Sequence, residues 1–153
     1  MRRGWVSLLA TVLVVGMFVS TVLVGTAGAY TPRNATLKGA VEVPGPGDPN
    51  GSGHARLKVY PAKGKICYRV AWSRIQDPAA GHIHKGPAGV AGPVKVTLFD
   101  KVISNNDYYS ACSKGLGHKL LRAIKEHPKK WYVNLHNDAY PEGAIRGQLH
   151  RPA

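Results

Sequence analysis

The alternation of apolar and polar residues predicts that most of this chain forms short β-strands. His54–Tyr60 alternates polar and mostly apolar residues, as a strand with one buried face does. Pro61–Gly64 has the composition of a turn and separates this run from a second one, Ile66–Trp72, so the two runs predict a β-hairpin. Further strands are predicted at Leu37–Val43, Gly81–His84, Val94–Phe99, Trp131–His136 and Ala144–Leu149. Loops are predicted at Gly45–Gly53, Lys85–Pro93 and Asp138–Gly143.

The same alternation predicts which side chains face the core. In Trp131–His136 the apolar residues Trp131, Val133 and Leu135 share one face, because strand residues two apart point the same way. Tyr132, Asn134 and His136 then lie on the opposite, polar face. In the strand at Val94–Phe99 the residues predicted to share one face are Val94, Val96 and Leu98.

A single helix is predicted in the second half of the chain. Leu116, Leu120, Leu121 and Ile124 recur at helical spacing, and Pro128 ends the pattern. Many short strands with one short helix predict an all-β fold, either a sandwich or a small barrel.

The first 29 residues have the layout of a secretory signal peptide. Arg2 and Arg3 precede an uncharged apolar run, Val6–Val24, and Ala27–Ala29 supplies small residues for a signal peptidase. The run is also long enough for a retained membrane anchor. Cleavage after Ala29 is favoured, which leaves one β domain at residues 30–153 and predicts export to the cell envelope or the medium, with no transmembrane segment remaining.

Charge and cysteine content fit an exported domain. Without Arg2 and Arg3 the chain keeps 19 basic and 8 acidic residues, a net charge of +11. This balance favours anionic surroundings such as cell-envelope polymers, phospholipid headgroups, acidic polysaccharide or nucleic acid. The basic residues are scattered, which is also typical of charge that serves solubility and loose surface adhesion, and no aromatic–basic interleaving along the chain marks a specific nucleic-acid site. Cys67 and Cys112 are predicted to form one disulfide; the alternative is a pair of soft metal ligands, which usually come in C-x-x-C spacing.

The clearest candidate for chemistry is Gly81-His82-Ile83-His84. His82 and His84 share a strand face, and His136 is a third imidazole on a polar strand face; His54 is a weaker fourth candidate. An all-imidazole set without thiolate favours copper, with affinity falling as pH drops through about 6 to 7. Paired histidines on an exposed strand are also common without a metal. The other histidines, His118, His127 and His150, are assigned to the surface.

No acid–base pair, nucleophile motif or phosphate-binding glycine motif is recognisable, so the residues themselves indicate no catalytic centre. Glu42 and Arg146 are the charges best placed inside strand segments. They are predicted to form a structural ion pair if the first and last strands are neighbours.

Several separated motifs resemble the CHRD (chordin) domain family. They occur in the family's order and lie at Leu37–Pro44, His82–Gly86, Gly92–Val94, Trp131–His136 and Tyr140–Leu149. The resemblance implies an immunoglobulin-like β-sandwich or barrel of the type found in chordin, an extracellular binder of growth factors, and in single-domain secreted bacterial proteins. It implies no particular reaction.

A more distant likeness is to copper–zinc superoxide dismutase. His82, His84 and His136 match that family's copper ligands in order, and Arg146 is comparable to its substrate-guiding arginine at a different spacing. The loop Lys85–Pro93 contains neither histidine nor aspartate, so the bridging ligand and the zinc site are missing.

Three hypotheses follow, in order of preference. The first is a secreted, non-catalytic binding domain that holds copper at His82, His84 and His136. The second is an adhesive or matrix module that holds anionic cell-envelope components, and the third is a copper-dependent oxidoreductase of the dismutase type.

Overall fold

The computed structural model describes residues 29–153. The predicted signal segment therefore lies outside the described residues, apart from Ala29. The strands are β1 (Thr31–Lys38), β2 (Ser52–Tyr60), β3 (Lys65–Ser73), β4 (Ala80–Lys85), β5 (Val94–Asp100), β6 (Tyr108–Ser113), β7 (Trp131–Asn137) and β8 (Tyr140–Gln148). The α-helix is α1 (His118–Glu126), and three single-turn 3-10 helices lie at Gly39–Val41, Pro61–Lys63 and Pro128–Lys130.

All eight strands form one antiparallel sheet in the order β5-β4-β7-β8-β1-β2-β3-β6. The sheet curls so that its two ends approach each other. The Ser113 hydroxyl of β6 donates a hydrogen bond to the Thr97 carbonyl of β5 (2.7 Å), and the Tyr68 hydroxyl of β3 donates to the Leu98 carbonyl. The result is a nearly closed barrel, which confirms the predicted all-β class with one short helix.

The interior of the barrel is apolar. Alternate strand positions point inward, and their side chains are at most 1% exposed: Leu37, Leu57, Val59, Ile66, Val70, Ile83, Val133, Leu135 and Ile145. Helix α1 adds Leu121 and Ile124, both fully buried. The helix ends at Glu126, two residues before Pro128, which confirms the prediction that Pro128 ends the helical pattern. Among the described residues, no helix is both long and apolar enough to cross a membrane.

The first strand lies earlier than predicted. β1 ends at Lys38, and Gly39–Val41 turns out of the sheet as a 3-10 helix, so the prediction of a strand through Val43 was wrong. The reason is a close backbone approach, since a Cβ atom at Gly39 would lie 1.7 Å from the Asp48 carbonyl oxygen. Glu42 consequently sits in the segment after β1 and not in a strand.

Two further expectations, for β5 and β8, differ from the structure. Val94 is 46% exposed, because the register between β4 and β5 shifts at Ile83 and His84 and removes Val94 from the inward row. β8 begins at Tyr140, four residues before the predicted start, so the prediction of a loop at Asp138–Gly143 was wrong beyond its first two residues.

Strand β6 was missed by the sequence pattern. Its residues alternate only between exposed and half-buried positions, as expected of a strand at the end of the sheet order. Cys112 on β6 stands directly opposite Cys67 on β3, and the two are joined by a disulfide. The predicted bridge is thereby confirmed.

Candidate metal centre

Neighbouring strands β4 and β7 bring three histidines together. His82 and His84 point to the outer face of the barrel, while Ile83 between them is fully buried in the core. In the β4–β7 register His82 is opposite Asn134, and Ala80 is opposite His136. His136 therefore stands diagonally across from His82 on the same face.

The three imidazoles form a compact group. His82 Nδ1 is 3.1 Å from His136 Nε2, and one ring nitrogen of each histidine lies within 4.8 Å of the others. The ring centroids are 5.0 Å apart for His82 and His136 and 5.7 Å apart for His82 and His84. The predicted convergence of these three side chains is present in the fold.

Backbone carbonyls orient two of the rings. His84 Nδ1 is 2.8 Å from the Gly92 carbonyl, and His136 Nδ1 is 2.9 Å from the Pro141 carbonyl. A carbonyl oxygen only accepts, so in the neutral rings Nδ1 carries the proton and Nε2 keeps a lone pair. His136 Nε2 also lies 3.0 Å from the Asn134 side-chain amide, so this tautomer requires Asn134 to present its NH2 group to that nitrogen. His84 Nε2 is buried and has no hydrogen-bond partner within residues 29–153. A ligating histidine is usually held in this way, with its other nitrogen bonded to a carbonyl.

The environment keeps the three rings neutral. Burial, together with the neighbouring His136 and His84, lowers the pKa of His82 to about 4. Burial also lowers the pKa of His84 and of His136, against the opposing effect of their carbonyl hydrogen bonds. Metal ligation requires neutral imidazole, so the lowered pKa values favour the ligating form of all three rings and extend it to lower pH than in free imidazole.

Tyr132 contacts both the histidine cluster and the loop at Lys85–Pro93, which covers the cluster. Its ring stacks on His84, with centroids 4.7 Å apart and planes 9° apart. Its hydroxyl accepts a hydrogen bond from the Gly92 amide (3.0 Å) and approaches the Gly92 carbonyl at 3.3 Å. The face predicted to be polar is consequently covered, and Tyr132 and Asn134 are each only 2% exposed.

Side chains from β8 fix the same loop from the other side. Arg146 Nη2 donates to the carbonyls of Pro87 (3.0 Å) and Val90 (2.9 Å), and Gln148 Nε2 donates to the Gly86 carbonyl (2.7 Å). The guanidinium carbon of Arg146 also lies 3.4 Å from the Tyr132 ring centroid. Arg146 therefore holds the loop in place over the histidines.

The first and last strands do pair, with Lys38 opposite Arg146, but Glu42 and Arg146 are not joined by a hydrogen bond. Glu42 Oε2 and Arg146 Nη1 are both buried without a hydrogen-bond partner among the described residues. Burial raises the pKa of Glu42 to about 7, while the Val43 amide, the charge of Arg146 and Asn134 each act to lower it. The ion pair between Glu42 and Arg146 therefore stays a prediction.

The remaining histidines lie elsewhere. His54 is exposed on β2, opposite Thr36 and Ala71, and the structure does not bring it to the cluster as a fourth ligand. His118, His127 and His150 are exposed, as predicted.

Sequence reasoning missed the supporting residues. Tyr132 and Asn134 were placed on the same face as His136, but nothing in the pattern showed that a loop would bury them. Gly92 was noted only as part of a family motif, and nothing showed that its carbonyl orients His84 or that its backbone packs against Lys85.

Replacing Gly92 with alanine is expected to loosen the site. A Cβ atom there would lie 1.9 Å from the Lys85 carbonyl oxygen, so the loop must move and its bonds to His84 and Tyr132 must lengthen. Loss of such supporting contacts costs a metal site about 10- to 100-fold in affinity, which competition with a copper chelator would measure. Gly89→Asn is the matched control, because a side chain at this left-handed loop position meets nothing within 4 Å. Equal copper affinity of the Gly92→Ala variant and the unmodified chain would contradict this role of the loop.

Comparison with models of known protein families shows the family of the chain. The model of the CHRD domain matches residues 33–149. The chain belongs to the CHRD family. Comparison with curated proteins and with solved structures gives no significant match.

The CHRD match spans all eight strands of the barrel at least in part, and it includes the three clustered histidines and both bridged cysteines. The candidate metal centre is therefore part of the CHRD domain itself. The dismutase likeness and its catalytic implications stay predictions.

Proposed function

We propose that this CHRD domain is an exported binding module that holds one copper ion through His82, His84 and His136. The supporting observation is the convergence of three neutral imidazoles from two adjacent strands, within 4.8 Å of one another. Two of these rings have the Nδ1 proton engaged by a carbonyl, which leaves Nε2 as the ligand atom. The disulfide supports export, because such bonds persist in oxidising compartments.

The dimensions of the cluster suit a shared ion. With metal–nitrogen bonds of about 2.0 Å, two ligand nitrogens on one ion are at most roughly 4 Å apart. His82 Nδ1 and His136 Nε2 already satisfy this limit at 3.1 Å. The widest separation in the group needs to close by roughly 1 Å. Small side-chain rotations provide such a movement.

Copper is favoured over zinc by the ligand type. The cluster offers imidazole nitrogens and, in the described part of the chain, neither a thiolate nor a carboxylate joins the group. Imidazole sites bind Cu(II) more tightly than Zn(II) in the usual order of divalent metals. Titration of the chain from Tyr30 onward should give one bound copper per molecule and weaker zinc binding. Tighter binding of zinc than of copper would reject the choice of metal.

The pH dependence of copper binding should be shifted to acid. From unperturbed histidines we expected affinity to fall through about pH 6 to 7. All three pKa values are lowered, that of His82 to about 4, so protons compete with the metal only at lower pH. We expect the affinity to begin falling at a lower pH than with unperturbed histidines, with a further loss as the pH approaches the His82 pKa of about 4, measured by chelator competition in buffers that do not bind copper. Half-loss of affinity between pH 6 and 7 would contradict these shifts.

The metal-free domain should lose stability over the same acid range. The unfolded histidines take up protons below their ordinary pKa of 6.5, whereas the folded ones resist until the pH approaches their lowered values. Glu42 has the opposite effect, because its raised pKa means that the folded state binds more protons between pH 4.5 and about 7. Urea unfolding of the Glu42→Gln variant should therefore show a steeper loss of stability on acidification than the unmodified chain.

A further inference from the structure

We propose that the outer surface of β1, β2, β3 and β6 binds an acidic polysaccharide. This surface is called here the basic face. Its four strands form one half of the strand order, and the histidine cluster lies on β4 and β7 in the other half. Its basic and aromatic members are Tyr30, Lys38, His54, Arg56, Lys58, Tyr60, Lys65, Arg69 and Tyr108.

The strand register places two arginines side by side. Arg56 on β2 is directly opposite Arg69 on β3, and the same row continues to Asn34 on β1 and Ser110 on β6. Like charges directly opposite on a sheet are destabilising. Among the described residues, none of the outward positions of these four strands is acidic, so no carboxylate on the face offsets the repulsion. An array of this kind costs the free protein stability, and a bound polyanion would remove the cost.

Three tyrosines hold the cations in place. The guanidinium of Arg69 lies over the Tyr108 ring, 3.5 Å from its centroid. Lys58 Nζ is 5.0 Å from the Tyr30 centroid, and Lys65 Nζ is 4.9 Å from the Tyr60 centroid. Cation–π contacts restrict these long side chains and so reduce the entropy lost when they bind an anion.

A groove of about 400 Å³ runs among these side chains. It is lined by Tyr30, Pro32, Asn34, Arg56, Leu57, Lys58, Cys67, Tyr68 and Arg69. Three of these lining residues, Arg56, Lys58 and Arg69, are basic and none is acidic. The basic face therefore offers a recess with repeated positive charge.

The spacing of the charges favours a polymer. Adjacent strands lie about 4.8 Å apart, and residues two apart on a strand lie about 6.8 Å apart, so Arg56, Arg69 and Lys58 are distributed over the face and do not converge on one point. A single small anion would leave most of them unpaired. Single-stranded nucleic acid is less well matched, because its bases stack on aromatic faces and a cation covers one face of each of these rings. A chain of uronate or sulfated sugars supplies repeated anions without that requirement.

The experiment measures binding of the metal-free chain from Tyr30 onward to immobilised alginate, a polyuronate. Neutral dextran and poly(dT) serve as the alternative ligands. We expect binding to alginate that weakens by at least about tenfold between about 50 mM and 200 mM salt. No binding to dextran and weaker binding to poly(dT) are also expected. Absence of alginate binding, or tighter binding of poly(dT), would overturn the proposal.

Two matched double variants distinguish binding by the basic face from binding that depends only on the net charge of the protein. Arg56→Gln combined with Arg69→Gln should weaken alginate binding by about tenfold or more. Lys119→Gln combined with Arg122→Gln removes the same charge from the exposed side of α1 and should change it by less than about twofold. Equal losses in both pairs would show that only overall charge matters and would overturn the proposal.

A measurement of the melting temperature tests whether unfolding causes the loss of alginate binding. Arg56→Gln alone removes the like-charge pair and should leave the melting temperature equal or higher, while alginate binding still weakens. Because the protein is metal-free throughout, these results do not depend on the copper site.

Discussion

Replacing His84 with alanine is expected to lower the copper affinity of the domain by more than about 100-fold. Changes to residues that merely support a ligand cost about 10- to 100-fold, and His84 supplies a ligand atom itself. The change also removes the chelate that His82 and His84 form together, because these two rings lie on the same face of β4. Competition with a fluorescent copper chelator, at pH 7.5 and with matched protein concentrations, would measure the difference.

Two further variants make that result interpretable. His118→Ala removes an exposed imidazole from α1 and should leave the affinity unchanged. His136→Gln tests the contribution of β7 and should also lose affinity, while circular dichroism checks that both site variants remain folded. Equal copper affinity in the His84 and His118 variants would contradict the three-histidine site.

Removing the disulfide is expected to lower the free energy of unfolding by about 4 kcal/mol. Cys67 and Cys112 are 45 residues apart in sequence, so the bridge removes much of the freedom of the unfolded chain. It also fastens β6, which has β3 as its one neighbour in the sheet order. Urea unfolding of the Cys67→Ala and Cys112→Ala double variant, compared with the oxidised chain, would measure the loss.

The control for the disulfide variant is Ser110→Ala, an exposed substitution on the same strand. It should change stability by less than about 0.5 kcal/mol. A reducing agent should destabilise the unmodified chain to a similar extent as the double variant and leave the double variant unchanged. A loss below about 1 kcal/mol in the double variant would contradict the stabilising role assigned to the bridge.

The strands could be predicted from the sequence wherever one face of a strand is buried and the other is exposed. The β2–β3 hairpin follows from the alternation around the turn at Pro61–Gly64, and the shared face of His82 and His84 follows from the period of a strand. β6 was not readable, because its position at the end of the sheet order leaves no fully buried row and hence no clear alternation. The early end of β1 depends on the contact between Gly39 and Asp48, which is set by the tertiary fold.

The candidate site was only partly readable for the same reason. The sequence shows that His136 lies on the polar face of its strand, but proximity to His82 depends on β4 and β7 being neighbours and on their register. The loop carbonyl of Gly92 and the anchoring by Arg146 arise from distant segments that fold over the strands. The lowered pKa values follow from this covering, so the expected pH range of metal binding could not be obtained from composition.

Electron paramagnetic resonance of the domain loaded with one equivalent of Cu(II) tests the central claim most directly. The spectrum should show a single tetragonal copper species with nitrogen coupling, and the coupling should change when only histidine is labelled with ¹⁵N. The same signal should persist in His118→Ala and disappear in His84→Ala. A spectrum of aqueous copper, or one that His84→Ala leaves unchanged, would contradict the three-histidine copper site.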